Sequence, residues 1–324
     1  MTAIGAGAVL REKRQMSSSA SSLDEAHGVS RRITQISLAT AALLILLKAF
    51  ALGASGSVSI LASLADSSLD LIASLAAFVA VRWAAVPADE EHRHGHGKAE
   101  TLASLVQSGL IFASALFIGW EAIQRMFNPQ PVTAGGWAIG VMVISIAVTM
   151  GLVWLQTQAM KKTRSLAVAG DRAHYAADMA SNVVVLIGVI SGALLSAPGL
   201  DAAAGLIVAV WLFWGALGLL RTTADQLLDR AVPDNERAAI VKAVVADPRI
   251  SGVHQLRTRM VGQSLQMQMH VDMDGNLSLK QAHDIIVEAE NRLLVAFPHA
   301  DILIHPDPRE AVQPLPASSS GPWD

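Results

Sequence analysis

Long apolar stretches separated by short polar ones dominate the first 220 residues. Six of them reach the roughly 20 residues needed to cross about 30 Å of hydrocarbon at 1.5 Å per residue. They are Ile33–Leu52, Gly56–Val86, Ala99–Phe127, Trp137–Met160, Leu166–Ala197 and Ala202–Leu220. Gly and Ser recur inside them, as at Ser67-Ser68, Gly188, Gly205 and Gly215. Small residues let helix backbones approach closely where lipid supplies no hydrophobic drive for association. Beyond Arg221 the pattern changes to that of a small water-soluble domain. Leu265, Met267, Met269, Val271 and Met273 alternate with Gln266, Gln268, His270 and Asp272, the signature of a strand with one buried face.

The elements around that strand are a helix of about three turns from Pro233 to Ala246 and a first strand over Gly252–Val261. An amphipathic helix over Ser278–Phe297 and a last strand over Ala300–His305 follow. The order αββαβ, with helices covering one face of a sheet, predicts an α+β, ferredoxin-like domain. The expected organisation is an N-terminal segment without structure (1–30), a six-helix transmembrane domain (31–222), the αββαβ domain (223–308) and a structureless tail (309–324). The serine-rich run Ser17–Ser22 lacks the apolar core of a signal peptide, and Met16 is a second candidate start.

Composition narrows the function. The chain of 324 residues is 52% hydrophobic and only 16% charged, against about 25% charged in an ordinary soluble domain, so a purely water-soluble enzyme is excluded. A net charge of −3 leaves no basic footprint for nucleic acid. With no cysteine, disulfides, thiol catalysis and thiolate metal sites are excluded. Any metal is held by His, Asp or Glu. Lys and Arg concentrate in the N-terminal segment (Arg11, Lys13, Arg14, Arg31, Arg32), around the second loop (Arg82, Arg93, Lys98) and in the fourth (Lys161, Lys162, Arg164). Basic residues in short loops stay on the cytoplasmic side, which predicts that both termini are cytoplasmic.

Against this apolar background a few charges stand out. Asp66 and Asp70 lie in the second stretch, His174 and Asp178 in the fifth. Each pair is spaced i, i+4 and projects from one helical face. An Asp near the bilayer centre costs about 2.5–3.5 kcal/mol on insertion scales, a cost that polar contacts between helices do not obviously return. Three carboxylates and one imidazole fit a tetrahedral site for Zn²⁺. Metal binding requires deprotonated ligands, and crowded carboxylates that lose a metal take up protons. Such a site is suited to exchanging metal for protons.

These residues, together with further motifs in the same order, give the chain a resemblance to the cation diffusion facilitators, in particular the bacterial zinc and ferrous-iron efflux branch. The markers are Leu64-Ala-Asp66-Ser-Ser-Leu-Asp70, Asp89-Glu-Glu-His92-Arg-His-Gly-His96-Gly-Lys98-Ala-Glu100 and His174-Tyr-Ala-Ala-Asp178. Leu227-Leu-Asp229-Arg-Ala-Val-Pro233, Val253-His254 through Arg259 and Ile304-His305-Pro-Asp307 complete the set. The resemblance implies a homodimeric proton-coupled antiporter of the cytoplasmic membrane that expels a divalent metal, Zn²⁺ foremost, by alternating access. It makes Asp66, Asp70, His174 and Asp178 the transport site and Asp89, His92 and His96 a loop-borne zinc site, with His94 as a competing ligand. It also implies a two-metal site in the cytoplasmic domain from His254, His270, His283, His305 and Asp307, with Asp307 bridging and His283 facing the partner chain. Lys98 and Asp229 resemble a charge interlock of the dimer. Lys48, inside the first stretch, has no partner assigned by sequence.

Two other classes compete with this reading. An intramembrane metalloenzyme needs an open coordination position and a general base, as in HExxH; the sequence has no HExxH, and four inward ligands close the site. A membrane metal sensor needs the cytoplasmic histidines but not Asp66 and Asp70. Oxygen and nitrogen ligands without sulfur admit Zn²⁺ and also Cd²⁺, Fe²⁺, Co²⁺ or Mn²⁺.

Overall fold

The computed structural model describes residues 3–55, 58–127, 136–190 and 200–309. Its contacts divide the chain into a helical unit, His27–Ala224, and a second unit built on the chain from Asp225 onward. Helix α1 covers Ala3–Ser55, α2 Val58–Ala84, α3 Lys98–Phe127, α4 Gly136–Met160, α5 Leu166–Ile190 and α6 Leu200–Leu227. All six apolar stretches are therefore helical where described, except that α2 ends at Ala84, two residues short of Val86. Among the described residues, five helices are long and apolar enough to cross a membrane: α1, α2, α3, α4 and α6. The fifth, α5, has the length, at 25 residues, but carries Asp171, Arg172, His174 and Asp178 in its first half.

The N-terminal segment departs from expectation, because α1 begins at Ala3. Ala, Leu, Glu, Lys and Arg are strong helix formers, and no proline interrupts the stretch, so helix extends back from the first span. The tail 310–324 lies outside the described residues.

The helical unit is inverted relative to a water-soluble bundle. Large apolar side chains such as Phe50, Phe117, Trp120, Trp154, Ile207 and Trp214 are exposed, an apolar surface of the kind that lipid covers. Inside, α5 packs against α2, α3 and α4. The buried face of α3 is polar along much of its length, with Glu100, Thr101, Ser104, Gln107 and Ser108 all buried.

In the second unit, α7 (Asp234–Val244), β1 (Gly252–Val261), β2 (Ser264–Met273), α8 (Leu279–Ala296) and β3 (Ala300–Pro308) reproduce the αββαβ order. β1 pairs antiparallel with β2, which pairs parallel with β3, so α8 is the crossover that a parallel pair requires. The alternation on β2 holds: Leu265, Met267, Met269, Val271 and Met273 are all buried, against Ile240 and Val244 of α7 and Ile285, Ala289 and Leu293 of α8. A capping box starts α8. The Ser278 hydroxyl accepts from the Gln281 amide, and the Gln281 side chain accepts from the Ser278 N–H. At the end of α6, Asp229 adopts the left-handed region (φ 56), which Asp tolerates better than most residues.

Candidate metal centres

The first centre lies between α2 and α5. His174 Nε2 is 3.2 Å from Asp70 Oδ1 and 3.6 Å from Asp178 Oδ2. One ligand atom from each of the three residues falls within 4.8 Å of the others. The i, i+4 spacing brings His174 and Asp178 to the same side of α5, where Asp70 of α2 meets them. Asp70 and His174 are buried, at 6% and 7% exposure. Asp66, expected as the fourth ligand, is exposed and stands outside the group. It is one turn away on α2, and only the turn carrying Asp70 faces His174. Lys48, unassigned by sequence, is buried and donates to Ser63 O at 3.1 Å and to the Ser67 hydroxyl, linking α1 to the segment of α2 that holds both aspartates.

The second centre is in the loop between α2 and α3. Asp89 Oδ2 is 3.2 Å from His96 Nε2, and Asp89 Oδ1 is 3.5 Å from His92 Nδ1. The loop folds around the aspartate: Oδ1 accepts from the backbone N–H groups of His92 (2.6 Å) and Glu91 (3.0 Å). Those donors, the His92 amide foremost, hold the Asp89 carboxyl below the usual carboxylate range. Gly95 (φ 76) makes the turn that returns His96 to the site. His96 is buried, with Nδ1 3.3 Å from Val86 O. When Nδ1 donates to that carbonyl, the Nε2 lone pair is free for metal, the arrangement common around histidine ligands. The rings of His92 and His96 lie 4.5 Å apart, and Trp83 lies 5.8 Å from His96. His94 is exposed and outside the group.

The third centre crosses the sheet. His254 pairs with His270, and His270 with His305, in the strand register. Asp307 sits between them: Oδ2 is 2.7 Å from His270 Nδ1 and 3.4 Å from His254 Nε2, while Oδ1 is 3.3 Å from His305 Nε2. Both oxygens of Asp307 are thus engaged by different imidazoles. A bulge follows His254, with Gln255 at φ 52, and bulges of this kind re-aim side chains. His254, His270 and Asp307 form the compact group, with His305 at its exposed edge. His283, on α8, is exposed and not part of it.

One neighbour escaped the sequence reading. Asp272 Oδ1 is 3.1 Å from His254 Nε2. A side chain at Gly252 would collide with it, since an added Cβ would lie 2.4 Å from Asp272 Oδ2. The signal was present, because Asp272 alternates onto the same face of β2 as His270. Asp229, expected to pair with Lys98, forms an ion pair with Arg259 at 3.0 Å within its own unit.

The transmembrane domain of cation efflux proteins matches this chain over residues 34–228, and their cytoplasmic domain matches it over residues 232–309. The cation-efflux pump FieF of Cronobacter sakazakii is 43% identical over 292 residues, 88% of this chain and 96% of the relative. The pump of the same name from Klebsiella pneumoniae is 42% identical over 291 residues, 87% of this chain and 93% of the relative. Among solved structures, the metal-bound C-terminal domain of the CzcD transporter from Thermotoga maritima is similar at 25% identity and a TM-score of 0.23. That match covers 25% of this chain and all of the other. The relatives are efflux pumps, and this chain is accordingly a multi-pass membrane transporter of metal cations with a cytoplasmic domain, not an enzyme. Two domain matches in sequence order, together with relatives above 40% identity along nearly their full length, establish that the chain belongs to the cation efflux, or cation diffusion facilitator, family.

Proposed function

We propose that the protein exports Zn²⁺ from the cytoplasm in exchange for protons, using Asp70, His174 and Asp178 as the transport site. The observation that carries this reading is the convergence of two carboxylates and an imidazole, within 4.8 Å of one another, inside helices whose outer surfaces are apolar. Such a group is electrostatically acceptable only with a cation present. Zn²⁺ supplies the charge in one half of the cycle, and protons supply it in the other. Asp66, one turn along α2, is the fourth ligand in the state in which α2 and α5 have moved relative to each other. Fe²⁺, Cd²⁺, Co²⁺ and Mn²⁺ satisfy the same oxygen and nitrogen donors; the imidazole favours zinc over manganese.

In this reading α5 is a sixth span, its charged half facing the other helices, and both termini are cytoplasmic in the inner membrane. The loop site gathers and positions metal on the cytoplasmic side. Zinc at the sheet, held by His254, His270, His305 and Asp307 with His283 from the partner, stabilises a homodimer. Lys98 and Asp229 remain the expected charge interlock of that dimer.

The test is full-length protein in liposomes with a pH dye inside and a Zn²⁺ pulse outside, beside Asp70→Ala. Antiport requires a metal-dependent proton flux that Asp70→Ala abolishes. A sensor, for which the cytoplasmic cluster alone suffices, gives no such flux in either sample.

A further inference from the structure

Next to the transport site is a second buried polar group that the exchange reaction leaves unused. Asp171 lies on α5 three residues before His174 and is 1% exposed. Neutral donors from other helices hold its carboxylate. Ser74 of α2 donates to Oδ1 at 3.2 Å, and Gln156 of α4 donates to Oδ2 at 2.9 Å. The same Gln156 amide donates to Ser37 Oγ of α1 at 3.0 Å. Tyr175, the residue after His174, lies 2.8 Å from Ser74 Oγ and reaches Ser37 O at 3.2 Å. Ser37, Ser74, Gln156, Asp171 and Tyr175 are all essentially inaccessible, so one closed network ties together α1, α2, α4 and α5.

Its position is informative. Ser74 follows Asp70 by one turn on α2, and Asp171 precedes His174 by about one turn on α5. The two helices are thus joined by two adjacent rungs, Asp70–His174 and Ser74–Asp171, each 3.2 Å long. Metal entering the first rung must displace that contact. The second rung and its tie to α4 can stay.

We propose that Asp171 is a positioning residue. It fixes the register of α5 against α2 and α4, so that His174 and Asp178 meet Asp70 at metal-binding distance. This rests on the reading of those three residues as the transport site. A preorganised site binds without the cost of ordering its ligands. Hydrogen counting sharpens the idea. The three contacts in the row 171–Ser74–Tyr175–Ser37 O need three hydrogens, and the two hydroxyls supply two. An amide at position 171 supplies the third while still accepting from Gln156.

The experiment is Zn²⁺ uptake by full-length protein in liposomes, with KM and kcat separated. Asp171→Leu is expected to raise KM about tenfold with kcat within twofold, Ser74→Ala to raise it about threefold, and Asp171→Asn to stay within twofold of the parent. Asp171→Leu with an unchanged KM overturns the proposal, as does a loss confined to kcat. Asp171→Asn as impaired as Asp171→Leu also overturns it, because charge rather than register would then matter. If Asp171→Leu does not fold, Ser74→Ala and Gln156→Leu decide the matter by the same KM criterion. Asp70→Ala in the same assay tests the transport site itself, so failure of that reading is seen separately.

Discussion

The intramembrane cluster and the sheet cluster draw on the same two donors, carboxylate and imidazole, in opposite surroundings. Asp70 and His174 are buried among apolar helices, whereas the His305 side chain at the edge of the sheet is 62% exposed. In the membrane, water cannot compensate an uncovered carboxylate, so removal of one cation demands another. On the sheet, the His270 and Asp307 side chains are only half-buried, at 33% and 24% exposure, so water shares in solvating them. On the proposed function, the same donor types would couple metal to protons in the membrane and bind metal with little further consequence on the sheet.

The sharpest way to break this contrast is to delete one ligand from each. His174→Ala or Asp70→Ala should lower Zn²⁺ uptake into liposomes at least about 100-fold, while His270→Ala or Asp307→Ala should lower it only a few-fold. Equal losses would erase the distinction. Acidity should separate the two next. Apparent metal affinity for transport should fall as the loading side is acidified, because protons compete for the ligands. An affinity flat between about pH 6 and 8, where imidazoles as a class titrate, would remove His174 from the coupling.

Metal removal addresses the sheet cluster. A ligand at 100 times its Kd stabilises the state that binds it by about 2.7 kcal/mol, so a chelator should lower the thermal midpoint of the cytoplasmic domain. Asp307→Ala should lose that sensitivity while keeping the fold. The loop centre falls between the two extremes. Its Asp89 carboxyl is held below the usual range by backbone donors and stays ionised at neutral and mildly acidic pH. Zn²⁺ should change Trp83 emission, measured as the difference between the parent and Trp83→Phe, and Asp89→Ala should abolish the change.

The smallest effect concerns a group with no metal role. Arg249 bonds to Asp247 through its side chain and backbone N–H and holds that carboxyl down at about 2. A depressed carboxyl adds stability that is fully present above its ordinary value near 3.8 and is lost as pH falls through about 2. Asp247→Asn should cost about 1–2 kcal/mol at neutral pH, read by denaturant unfolding, with zinc uptake unchanged.

Much of this architecture is legible in the order of residues. The strand Leu265–Met273 announces its buried face by alternation, and the helices declare themselves by length and apolarity. Asp70, His174 and Asp178 stand out because charge is rare in their surroundings. The loop trio needed only local geometry, since Asp89, His92 and His96 lie within eight residues of one another.

Other features were hidden for a common reason. Asp66 and Asp70 share one helical face, yet of the two only Asp70 joins His174 and Asp178 in this structure. Asp272 looked like any polar residue on a strand until the bulge after His254 turned the imidazole toward it. The partners of Asp171 are single serines and a glutamine on three other helices, none conspicuous in its own segment. Helical and strand periods fix the direction in which each side chain leaves its own backbone, and so they revealed the elements, their faces and the chemistry available. Which turn of one helix stands opposite which turn of another depends on packing between distant segments. That packing brought three of the four expected ligands together, joined Lys48 to α2 and closed the network around Asp171.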